Sequence, residues 1–297
     1  MKDYLFVFSV LAVAIIWGTT FLGIRISVET IPGWFVAGIR QLIAAIILLF
    51  VLIFKKELKW IGWKNLKIQI IFSMLMLVIA NGMTTVAEEH ITSSLASLIS
   101  ATSPIFVFLG SIIFGLQKFN YRSLIGILLG FSGVVFIFWD GINDLLNPDF
   151  RMGILFIFIA ILGWAVGSVF TKKLNYKNEN ISLNLFYQFL FAGIFQLIIA
   201  FLFTKNFNFE NWNLRSSLAM VYLAIFGSVI AYFAFHYALR KISPTQISIL
   251  SYINTMIAIF LGWLVLDEEI SLKFIVAAIL IITGVFITNY KPKLLSK

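Results

Sequence analysis

The sequence has no cysteine, which excludes disulfides, thiolate metal sites and cysteine nucleophiles. It is also short of charge, at 12% Asp, Glu, Lys and Arg, about half the ~25% usual in soluble domains. Histidine occurs twice, at His90 and His236, on different predicted helices and without partner ligands, so no metal site is expected. There is no HExxH, no paired carboxylates and no serine beside a base, so neither catalysis nor a cofactor is expected. What is abundant is apolar: 61% hydrophobic residues and a mean hydropathy of +1.01. A soluble core is excluded, and the chain is expected to be all-α and polytopic in a membrane.

Ten stretches are long enough to cross a hydrocarbon layer about 30 Å thick, which takes roughly 17 to 25 helical residues. They run from Tyr4 to Ile24, Trp34 to Phe54, Leu66 to Ala87, Thr92 to Gly115, Ser123 to Trp139, Gly153 to Phe170, Leu183 to Phe203, Ser217 to Leu239, Pro244 to Leu266 and Phe274 to Tyr290. Ala12-Val13-Ala14 superficially fits a signal-peptidase site, but the apolar run continues through Leu22 and is read as a retained first span. The net charge of +9 would suggest nucleic acid in a soluble chain. Here the basic residues lie in short loops, so no nucleic-acid partner is expected and the pattern sets topology. With the N-terminus inside, 16 Lys and Arg fall in inner segments and five in outer ones, with Arg40 within a span. Both termini are therefore expected to be cytoplasmic, in the cytoplasmic (inner) membrane.

A weak internal repeat is visible. A shift of 147 residues superposes Trp17 on Trp164, Arg25 on Lys172 and Gln41 on Gln188; a shift of 151 superposes Ala87 on Ala238, Ser97 on Ser248 and Gly133 on Gly284. Each half holds five spans, and an odd number turns the second copy upside down, the inverted-repeat design of secondary transporters. The expected organisation is a first repeat over residues 1–140, an outer linker over 141–152 and a second repeat over 153–297.

Polar side chains concentrate between Asn81 and Pro104. Asn81, Thr84, Thr85 and Glu88 recur at i, i+3, i+4 and i+7, which puts them on one helix face. Such a stripe predicts a wet cavity, although any single Ser or Thr can also bond back to its own helix. The eighth span adds Ser228, Tyr232 and His236, and the ninth Ser248, Ser251, Tyr252 and Thr255, with Gln246 and Asn254 on adjoining faces. His236 reads either as a proton carrier or as a neutral, hydrogen-bonded residue. Arg40 either snorkels outward or pairs with Glu88, the preferred reading, since both should reach a similar depth. Thr92 and Ser243 look like N-caps, Pro104 like a mid-span kink, and Gly126, Gly130 and Gly133 like a ridge for close helix packing, within one chain or between two copies.

Trp17-Gly18, the stretch AEEHITSSLASLISATSP and the stretch GSVIAYFAFHYALRKISPTQISILSYIN together resemble EamA-type members of the drug/metabolite transporter superfamily. The resemblance implies an inverted-repeat transporter with a central cavity lined by the first, third, fourth, sixth, eighth and ninth helices. Carried onto this chain, Trp17, Asn81, Glu88, Ser97, Trp164, Tyr232, His236 and Tyr252 are expected to face it, joined by Gln246 and Asn254 as polar orienting groups. Family members often carry an acid shortly after the fourth helix, where this chain has Gln117 or Lys118, while Asp267, Glu268 and Glu269 remain in the second half. The expected partner is a small amphipathic solute, such as an amino acid or related metabolite, with drugs as a further class, exported by alternating access from a monomer or homodimer set in lipid. A lipid flippase or a non-transporting membrane protein is the alternative.

Overall fold

The computed structural model describes residues 4–139, 146–174, 180–204, 208–266 and 272–289. Asp140, Asp144, Lys177 and the acidic Asp267-Glu268-Glu269 run lie outside them. Among the described residues the chain forms helices α1 (Tyr4–Val28), α2 (Gly33–Phe54), α3 (Gly62–Ala87), α4 (Ser93–Ile113), α5 (Tyr121–Ile137), α6 (Arg151–Lys173), α7 (Ile181–Phe203), α8 (Leu214–Lys241), α9 (Pro244–Ser248 followed by Leu250–Leu266) and α10 (Leu272–Asn289). Seven of these, α1 to α4 and α6 to α8, are long and apolar enough to cross a membrane, and α5 is a shorter apolar helix.

The helix ends are written in local chemistry. Thr92, Asn120, Asn180 and Asn213 each accept a backbone N–H one turn into α4, α5, α7 and α8, satisfying donors that a helix start otherwise leaves orphaned. Ser243 does so in a full capping box with Gln246, with Pro244 in the first turn. At the far end of α4, Gly115 adopts φ +72. Its N–H reaches Ile112 O at 3.0 Å and that of Leu116 reaches Ser111 O at 2.8 Å, the Schellman pattern that needs a left-handed residue.

Two helices are wound irregularly at matching places. Ser73–Gly82 in α3 and Leu223–Ile230 in α8 are π-helical, an arrangement frequent at functional sites. The α4 helix is broken between Ser100 and Ser103, with Pro104 in the first turn of the second piece. The expected kink is there, because proline supplies no N–H to the preceding turn.

Packing follows the glycines. The most extensive helix contacts are α5 with α10 and α2 with α7. At Gly126 a Cβ would stand 2.1 Å from Thr288 Oγ1 and at Gly284 one would stand 2.5 Å from Gly126 O. The expected ridge on α5 is thus used within the chain. Large apolar side chains such as Phe8, Phe50, Ile113, Phe203 and Phe286 point outward, while Arg40, Gln41, Gln69, Glu88, Gln188 and Gln196 are buried. A surface this apolar around a polar interior belongs in lipid.

Direction can be read from α8. Ser216, at its start, donates to Ile26 O near the C-terminal end of α1 (2.7 Å). Lys172, at the C-terminal end of α6, donates to Leu239 O (2.6 Å) and Ile242 O (2.9 Å) at the finish of α8. The C-terminal ends of α1 and α6 therefore lie at opposite ends of one helix.

Candidate functional site

A cavity of about 160 Å³ lies where α1, α3, α4, α6, α8 and α9 converge, with Arg40 reaching in from α2. One wall is aromatic. Trp17 and Trp164, the residues superposed by the 147-residue shift, touch with ring centroids 5.1 Å apart and planes at 83°. Tyr232 stands 5.5 Å from Trp17 and Phe235 stands 4.8 Å from Trp164, edge-to-face and tilted contacts that rings prefer. Trp17 Nε1–H donates to Gly227 O (3.3 Å) and Tyr232 Oη–H to Met76 O (3.2 Å), both acceptors lying near or within the π-helical stretches.

The opposite lining is polar: Thr20, Asn81, Thr84, Ser97, Ser100, Ser103, Ser248, Ser251, Asn254 and Thr255. Asn81 Oδ1 accepts from Nε2 of the buried Gln41 (3.1 Å), which holds the amide. In the orientation that satisfies its neighbours, the Asn254 amide nitrogen donates to Ala14 O and Leu250 O, each at 2.9 Å. Ser97 bonds back to Ser94 O at 2.8 Å, the self-satisfaction open to any helical serine. Replacing Gln41 by Leu is expected to leave the protein folded but free Asn81 to rotate. Solute flux in proteoliposomes should then fall about tenfold, the order of one lost hydrogen bond of ~1.4 kcal/mol.

Five expectations need correcting. Glu88 does not line the cavity: α3 ends at Ala87, so the i+7 spacing runs off the helix and the side chain turns into the protein. Arg40 and Glu88 do not approach within 4.0 Å, and both Glu88 carboxyl oxygens are buried without a partner. Gln246 is spent on the capping box of α9. Tyr252 turns to α5, where its hydroxyl donates to Ile127 O (2.9 Å) and its ring fills the space left by Gly130. His236 lines a separate cavity of about 40 Å³ with Gln69, Thr171, Lys172 and Gln188. Conversely, Phe235 and Arg40 line the main cavity unannounced, Phe235 because nothing marks one of 32 phenylalanines.

Two cations bond to helix C-termini at opposite ends of the bundle. Arg25 Nη1 donates to the main-chain oxygen of Glu88 (2.7 Å) at the end of α3, and Lys172 Nζ donates to Leu239 O at the end of α8. The same shifts that pair Arg25 with Lys172 pair Glu88 with Leu239. Each cation thus meets the C-terminal carbonyls of a helix, where the helix dipole favours positive charge.

A multi-pass helical membrane protein, with a lined cavity at the meeting of its two halves, belongs to the class of membrane transporters. The chain is a member of the EamA-like transporter family, whose sequence pattern matches residues 5–139 and 151–290. It is 32% identical over 292 residues to the "Uncharacterized inner membrane transporter YedA" of Escherichia coli (strain K12), covering 96% of this chain and 92% of that one. It is 26% identical over 285 residues to the "Uncharacterized transporter YoaV" of Bacillus subtilis (strain 168), covering 95% and 96%. A solved crystal structure shares the fold with a TM-score of 0.77 and 16% identity, covering 95% of each chain.

Proposed function

We propose that the protein is a secondary transporter that exports a small amphipathic metabolite, such as an amino acid or related compound, across the cytoplasmic membrane by alternating access. The observation that carries this reading is the cavity itself: an aromatic cluster and aliphatic side chains form part of its wall, hydroxyls and amides another part, and both segments 1–140 and 153–297 contribute to it. An apolar portion of the solute packs on Trp17, Trp164, Tyr232 and Phe235, and polar groups are oriented by Asn81, Asn254 and the serine hydroxyls.

Ten spans arranged as two inverted five-helix repeats accommodate the opposed C-termini of α1 and α6, the matching π-helical stretches and the family pattern found once in each half. In such a design the site stays near the middle while either end opens. On this reading the clasping contacts of Arg25 and Lys172, at opposite ends of α8, are the ones broken in turn. The name of the E. coli relative supports an inner-membrane location, and the loop charges support cytoplasmic termini.

The test uses proteoliposomes loaded with a metabolite extract, with mass spectrometry following which compounds leave faster than from protein-free vesicles. Selective loss that disappears in an Asn81→Ala, Tyr232→Ala variant supports transport through this cavity. Accelerated movement of labelled phospholipid between leaflets, without any solute loss, would replace the reading by a flippase.

A further inference from the structure

Arg40 is the one charged side chain among the described residues lining the cavity. It is 1% exposed. Its guanidinium lies between α1 and α8: a Cβ on Gly227 would meet Thr20 Cγ2 at 2.9 Å and Arg40 Nη2 at 3.2 Å. Its Nε donates to Ser228 Oγ at 3.3 Å, a neutral acceptor. Nη1 is buried and has no acceptor. Glu88 is close enough for its charge to act on Arg40, but the two make no direct ion pair within 4.0 Å and the Glu88 carboxyl oxygens accept no hydrogen bond.

A buried guanidinium with no directly bonded acid and one donor left without an acceptor is costly, since arginine stays charged at any physiological pH and the burial strips its hydration. The planar fork of donors matches a carboxylate in two-point contact better than any neutral group does. The counter-ion that completes this site is therefore to be sought on the solute. Beside the guanidinium stand the rings of Trp17, Trp164, Tyr232 and Phe235 around a space of about 160 Å³. Benzene fills a dry cavity of about 150 Å³, so the enclosed apolar body is on the scale of one aromatic ring or a branched aliphatic chain.

We propose that Arg40 is the anion-recognition group of the cavity, and that the solute carries a carboxylate attached to an apolar body about the size of a single ring. This rests on the reading of the cavity as the transport site. Asn81, held by Gln41 on α2 one residue from Arg40, is placed to take a neighbouring polar substituent. Glu88, lying outside the lining, has no part in binding the solute.

Three probes sharing one ring separate the charges: phenylacetate carries the carboxylate alone, phenylglycine carries carboxylate and ammonium, and benzylammonium carries the ammonium alone. Binding to the purified full-length protein in detergent is read by tryptophan fluorescence, Trp17 and Trp164 being in the wall. Phenylacetate and phenylglycine are expected to bind the wild type and benzylammonium to bind at least tenfold more weakly. Arg40→Gln should weaken both carboxylates at least tenfold and narrow the difference from benzylammonium, Arg40→Lys should fall between, and Glu88→Gln should leave carboxylate affinity unchanged.

If Arg40→Gln does not fold, Arg40→Lys replaces it for the comparison. Carboxylate binding that survives Arg40→Gln but is lost in Trp164→Ala would overturn the role of Arg40 and leave the cavity standing. Binding indifferent to both changes would overturn the cavity as well. Failure of either carboxylate to bind the wild type, or preferred binding of benzylammonium, would overturn the proposal.

Discussion

Substituting Gly284 by leucine is expected to prevent the protein from reaching a stable fold, with little monodisperse protein recovered after detergent extraction. A Cβ at this position would lie 2.5 Å from Gly126 O and 2.6 Å from Gly130 N, and backbone atoms cannot rotate aside as a side chain can. The α5 and α10 helices would have to separate along their whole contact. The cost should exceed the ~1–3 kcal/mol of ordinary core overpacking. Gly110→Ala is the control: its Cβ would meet Val169 Cγ2 at 3.5 Å, an ordinary contact. It should be tolerated or add up to ~1 kcal/mol from helix propensity. Size-exclusion profiles of the two variants, followed by thermal unfolding, decide the matter. Equal recovery would show that this helix pair is not closely packed in the membrane.

The two clasps predict an effect that depends on which end is loosened. Lys172→Met removes the donor that holds Leu239 O and Ile242 O, together with the further contact to Arg240 O at 3.4 Å. A cysteine at Asn184, which lines the small cavity beside that clasp, should then label severalfold faster with a membrane-impermeant thiol reagent. A cysteine at Ile24, in the main cavity next to Arg25, should gain little. Arg25→Met, which frees Glu88 O, should produce the reverse pattern. Because the chain has no cysteine of its own, each signal comes from the introduced residue alone. Both sites speeding up equally in either variant would mean that the clasps hold the bundle together generally and do not govern separate ends.

Of the ten expected spans, the seven long apolar helices were legible because hydrocarbon thickness imposes a length and composition that little else shares. Helix starts were legible at Thr92 and Ser243, capping residues that open α4 and α9, the latter with Pro244 in the first turn. The aromatic part of the cavity could be read from Trp17 and Trp164 because a matched tryptophan pair stands out in a chain otherwise rich in Phe, Leu and Ile. The errors have local causes. A count of 3.6 residues per turn presumes an unbroken α-helix, yet Asn81 lies within a π-helical stretch and Glu88 lies past a helix end. Gln246 sits at the third position of a helix, where its side chain folds back on the cap in preference to reaching a cavity. Tyr252 was drawn away by a hollow over Gly130 on a distant helix, a feature that no window of neighbouring residues contains. Arg40 was recognised as anomalous, but its surroundings are set by Gly227 and Ser228, 187 and 188 positions away.

The contact between Trp17 and Trp164 has a bearing on how such a chain diverges. Where the two halves face lipid, each drifts independently, since hydrocarbon tolerates any apolar side chain. Where Trp17 meets Trp164, a substitution at one position changes the surroundings of the other. A change at either is expected to be accepted only with a compensating change at its partner, so this pair ties two distant stretches of the chain together in a way that no lipid-facing pair does.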